Sequence, residues 1–137
     1  TETNLERDQI LGQNQKILII EDDALVAALI AVTLKHAGYV TMIASNAEDG
    51  LDDFASLGFD VVVTDIFMEG MGGIDGISKI RNLNADVPII AMSGGYKDLN
   101  PTKALAAAKK IGASMVLSKP LSLDDVVDAV ETVLQDA

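Results

Sequence analysis

Five short apolar runs divide the chain, and each is followed by a stretch whose apolar residues recur at helical spacing. The runs KILIIE (16–21), VTMIA (40–44), DVVVT (60–64), VPIIAM (87–92) and SMVLS (114–118) are rich in isoleucine and valine. The isoleucine-rich first run has the mark of a strand buried on both faces, and the other four are read as strands as well. Leu25, Leu29 and Val32 mark a first helix that stops at Gly38. Asn46 is placed to cap a second, which packs through Ala47, Leu51, Phe54 and Ala55 and ends near Gly58. Ile77 and Ile80 mark a third after the Gly-rich stretch Glu69–Gly73. Asn100 before Pro101 predicts a fourth helix, through Leu105 and Ala108 to Ile111, stopped at Gly112. Ser122 with Asp125 resembles a capping box for a last helix lined by Leu123, Val126, Val130 and Leu134.

The pattern is (βα)5, an α/β architecture with a doubly wound parallel sheet, right-handed crossovers and helices on both faces. Residues 1–15 are mostly polar, with one small apolar cluster at Ile10-Leu11, and read as a flexible N-terminal extension, which leaves 16–137 as one domain.

Four of the five runs end in chemistry. Asp22 and Asp23 follow the first, Asp65 the third, Ser93 the fourth, and Lys119 with Pro120 the fifth. In an open parallel sheet the carboxyl ends of the strands share one edge, and ligands bind there. Three carboxylates, a hydroxyl and a lysine at one edge fit a divalent cation and a phosphoryl group. Mg2+ prefers hard oxygen ligands and keeps several waters. A carboxylate can accept a phosphoryl group as an acyl phosphate, while lysine and serine can hold phosphoryl oxygens. Each residue has a plainer use as well: an aspartate after a strand caps a helix or makes a turn, which suits Asp23 in particular.

Composition narrows the partners. The net charge is −11, which disfavours the basic footprint that nucleic-acid binding needs. No apolar stretch is long enough to span a membrane, and the lack of cysteine excludes disulfides and thiolate metal sites. The only histidine, His36, sits in a predicted helix end, where it complements the helix dipole.

The segments ILIIEDD, VVVTDIFM, the serine after the fourth run, GAS and LSKP together resemble a two-component response-regulator receiver domain over about residues 16–136. The resemblance implies a flavodoxin-like fold with strand order 2-1-3-4-5 and a cytoplasmic phosphoacceptor that signals by protein contact rather than turning over a separate substrate. It implies Mg2+ held by Asp23 and Asp65, by Asp22 directly or through water, and by the backbone carbonyl of Phe67. Asp65 would take the phosphoryl group from a histidine kinase or a histidine phosphotransfer protein, and Ser93 and Lys119 would bind its oxygens.

Several positions depart from the family pattern. Glu69 stands where proline is common. Val116 stands where an aromatic switch residue is usual, three residues before the lysine. The sequence Ser93-Gly94-Gly95-Tyr96 resembles an atypical subset lacking that aromatic, which makes Ser93, Tyr96 and Val116 the residues to watch for switching. A fragment of a larger regulator or hybrid kinase, and a degenerate receiver that switches without phosphate, fit the same residues. A small aspartyl-phosphate phosphohydrolase would want a second acid where Phe67 stands, and in a flavodoxin-like cofactor binder Glu21-Asp22-Asp23 would repel a phosphate.

Overall fold

Apolar runs of branched residues cannot leave their backbone polar groups unpaired when buried, so they associate into a sheet. The computed structural model describes residues 15–66, 72–94, 106–107, 109–110 and 112–136. In chain order the elements are β1 (Lys16–Ile20), α1 (Ala24–His36), β2 (Val40–Ala44), α2 (Ala47–Leu57), β3 (Val61–Asp65), α3 (Gly73–Leu83), β4 (Ile89–Gly94), β5 (Met115–Lys119) and α4 (Leu123–Asp136). Residues 106, 107, 109 and 110 are also helical, and Gly112 just beyond them has φ +119. The expected lead-in up to residue 14, Phe67, Tyr96 and the helix start at Pro101 lie outside the described residues.

The sheet has the order β2-β1-β3-β4-β5, with every neighbouring pair parallel. Because β1, β3 and β4 are interior strands, their side chains point into two separate cores. Ile17, Ile19, Val61, Val63 and Met92 pack on one face against α1 and α4, through Ile30, Leu34, Val126 and Val130. Leu18, Ile20, Val62 and Ala91 pack on the other against α2 and α3, through Phe54, Ile77 and Ile80. This accounts for runs that are apolar throughout rather than alternating.

Caps set the helix limits. Asn46 accepts the Asp49 N–H at 2.7 Å and so starts α2, and Gly58, at φ +72, follows its end. Asp23 caps α1, its Oδ1 accepting the Leu25 and Val26 N–H groups at 3.0 and 3.2 Å. Lys35 and His36 occupy the last turn of α1, where a cation offsets the dipole.

One helix sits differently from what its sequence signals. Leu25, Leu29 and Val32, which mark α1 by their spacing, are 69, 46 and 52% exposed, and the buried face is Ala27, Ile30, Ala31 and Leu34. A helix apolar on both sides carries no hydropathy signal for its rotation. The predicted strand limits also shift toward the C-terminus: Asp65 and Ser93 are strand residues rather than the first residues of loops.

Candidate functional site

In a parallel sheet all strands point the same way, so residues far apart in sequence meet where the strands end. Asp65 is the last residue of β3, Ser93 lies in β4 and Lys119 ends β5, while Glu21 follows β1 directly. Register places Asp65 opposite Met92, Ser93 opposite Ser118 and Gly94 opposite Lys119, which brings these residues to one edge.

Lys119 joins the edge together. Its Nζ donates to Asp65 Oδ2 at 2.9 Å and to Glu21 Oε1 at 2.8 Å. Asp65 is 5% exposed and Glu21 only 1%. Burial raises the Glu21 pKa, and the bond from Lys119 only partly opposes it. Burial pulls Lys119 down, but its hydrogen bonds to Glu21 and Asp65 and their charges outweigh that, so its pKa lies above the ordinary lysine value. The ammonium is therefore the stable form, balancing two carboxylates in a setting where lone charges would be costly.

Asp22 is exposed beside this pair, and a carboxylate oxygen from each of Glu21, Asp22 and Asp65 lies within 4.8 Å of the others. Three hard oxygen donors with one member open to solvent fit a small divalent cation that retains waters. Of the metal set expected from sequence, Asp22 and Asp65 lie in this cluster. Asp23 has its Oδ1 on the first N–H groups of α1 and is not in the cluster, and Glu21 takes its place. The capping use of Asp23 is the one realised. Glu21 was legible as the acidic last residue of an otherwise apolar run, a position that is buried if the run is an interior strand.

Ser93 is fully buried, and its Oγ has no hydrogen-bond partner among the described residues. A buried hydroxyl without a partner is unfavourable, and at this edge it can donate to an oxyanion placed on Asp65. Val116 is half-buried against the α2–α3 core, in line with Ala91. It packs as an aliphatic core residue and has no ring to move. Phe67 and Tyr96 fall outside the described residues. The Lys119–Pro120 peptide bond is cis.

Beside the site, Val26, Leu29, Ile30, Pro120, Leu121 and Leu123 line an apolar groove of about 330 Å³ that Lys119 borders. Its α1 wall continues into the exposed Leu25, Leu29 and Val32 stripe.

Comparison with known proteins agrees with this edge chemistry. The model of the response regulator receiver domain matches residues 17–131. Sporulation initiation phosphotransferase F of Bacillus subtilis is 29% identical over 121 residues, which cover 88% of this chain and 94% of that protein. The transcriptional regulatory protein YkoG of the same organism is 27% identical over 119 residues, and the chain spans only 50% of its length. Among solved structures, the receiver domain of the Francisella response regulator 1452 superposes with a TM-score of 0.81 at 27% identity, covering 90% of this chain and 98% of that one. A receiver domain protein from Clostridium thermocellum gives 0.81 at 27% identity, covering 89 and 95%. With its sheet order, its strand-edge carboxylates and lysine, and a family match over most of its length, the chain belongs to the response regulator receiver domain family, whose members act as phosphoacceptors in two-component signalling.

Proposed function

We propose that Asp65 is the phosphoacceptor of this receiver, charged by the phosphohistidine of a histidine kinase or histidine phosphotransfer protein. The observation that carries this reading is the Lys119 ammonium held 2.9 Å from Asp65 Oδ2, at the end of the central strand. A carboxylate oxygen of Asp65 attacks the phosphorus, the P–N bond breaks, and its electron pair stays on the leaving imidazole. Lys119 then balances charge on the phosphoryl oxygens, and the Ser93 hydroxyl gains the acceptor it lacks. Mg2+ held by Asp22 and Asp65, with Glu21 close by and the Phe67 carbonyl as a further oxygen donor, would neutralise charge as the anionic donor approaches.

The groove beside Lys119 and the apolar stripe on α1 support a helical partner next to the site, as a kinase's histidine-bearing helix would be. A location in the cytoplasm follows from that partner, because the ATP that charges a histidine kinase is there. The chain turns over no separate substrate; its output is a change of protein contacts. Incubation with a small phosphodonor and Mg2+, followed by intact mass measurement, should show a gain of one phosphate. Asp65→Asn should abolish the gain, and a mutant that still gains it would overturn the assignment.

A further inference from the structure

Glu21 is the most deeply buried acid of the cluster, and both of its oxygens are engaged. Oε1 accepts from Lys119 Nζ at 2.8 Å, and Oε2 accepts the Asp23 backbone N–H at 3.1 Å. Its own N–H donates to the Ala44 carbonyl at 3.1 Å, so the residue is held by backbone on two sides. The side chain is 0% exposed and cannot relax into solvent. Lys119 is different: a flexible four-carbon stem at the end of an edge strand, with its side chain 23% exposed. Without a fixed acceptor its ammonium would gain rotamer freedom by turning toward water.

From this geometry we infer that Glu21 is a positioning residue for phosphoryl transfer, which clamps the Lys119 ammonium onto Asp65. The inference rests on the reading of Asp65 as the acceptor.

The length of the side chain follows from the sheet. Lys119 is on β5 and Asp65 on β3, two strand spacings away, or about 10 Å. Glu21 follows β1, three spacings away, or about 14 Å. Lysine and aspartate suffice for the shorter span. Glu21 meets Nζ at 2.8 Å, and aspartate at position 21, shorter by a methylene or about 1.3 Å, would keep the charge and fall beyond hydrogen-bond distance. The bond to the Asp23 N–H also requires an acceptor, and a glutamine has a single oxygen to serve both donors.

The test separates clamping from metal ligation. Phosphorylation of Asp65 by phosphoramidate is followed by intact mass at saturating Mg2+, so that changes in metal affinity drop out. Glu21→Gln and Glu21→Asp should each slow the reaction by about tenfold, the size expected for loss of one charge-assisted hydrogen bond. In a Lys119→Met background, where there is no ammonium to clamp, the same substitutions should have less than about twofold further effect. Equal losses with and without Lys119 would overturn the clamp, and so would a Glu21→Asp variant as fast as wild type. Should Glu21→Gln fail to fold, Glu21→Asp still decides, and so does 13C relaxation of the Lys119 ε-methylene, which should become more mobile in that variant. A wild-type chain that takes up no phosphate would instead refute the acceptor reading itself.

Discussion

Replacing Asp23 tells capping from metal binding in one experiment. Its Oδ1 satisfies two N–H groups of α1, and the first turn of that helix contains no other acid. Loss of such a cap costs about 1 kcal/mol. For 137 residues, an unfolding entropy near 2 cal/mol/K per residue converts this to a fall in Tm of about 3–4 °C. Asp23→Ser keeps a capping oxygen and should melt close to wild type, whereas Asp23→Ala should show the full fall. Mg2+ at about ten times its Kd should add about 1.4 kcal/mol by mass action, or roughly 5 °C. That increment should survive in Asp23→Ala and in Asp23→Ser and be lost in Asp22→Asn. Differential scanning calorimetry with EDTA or with Mg2+ reads both quantities. If Asp23→Ala keeps its metal-free Tm and loses the Mg2+ increment, Asp23 is a metal ligand and not a cap.

Ser93→Ala removes a buried hydroxyl without a partner among the described residues, so metal-free stability should hold or rise by up to about 1 kcal/mol, while phosphorylation slows; a stability loss of similar size in urea titration would mean that the hydroxyl is bonded. Gly112→Ala puts a Cβ 2.9 Å from Arg81 Nε at a φ of +119, at a cost of about 2–3 kcal/mol, and it also disturbs the Arg81 bonds to the Gly112 carbonyl at 2.7 and 2.9 Å; a Tm fall under about 3 °C would contradict this. Burial, then the Glu131 charge, raises the Tyr39 pKa above its ordinary 10.0. Between those two values the folded state binds more protons than the unfolded one, so stability is held below pH 10.0 and falls as pH rises through the folded value. Tyr39→Phe should flatten that alkaline fall in Tm, and an unchanged slope would refute the assignment.

The five-strand alternation was legible because interior strands of a parallel sheet must be apolar on both faces, a demand visible in any one run. The cap of α2 was legible for a similar local reason: Asn46 and Asp49 lie three residues apart and need nothing else. Strand ends were less so. Asp65 and Ser93 remain in their strands because the ladder continues past the last apolar side chain, and hydropathy does not report backbone pairing. The rotation of α1 was hidden because Leu25, Leu29 and Val32 are as apolar as the face that is buried.

The order of elements, the fold class and the pool of chemical residues at the strand ends were thus determined by the sequence alone, since each depends on contiguous residues. Which member of Glu21-Asp22-Asp23 joins Asp65 was not, because three adjacent acids are equivalent until the chain turns from strand to helix. That turn sends Asp23 to cap α1, leaves Asp22 in solvent and buries Glu21 within reach of Lys119, a residue 98 positions away. Only the packing of five strands in one order brings those two together, and a contact across three strand spacings has no signature in either local sequence.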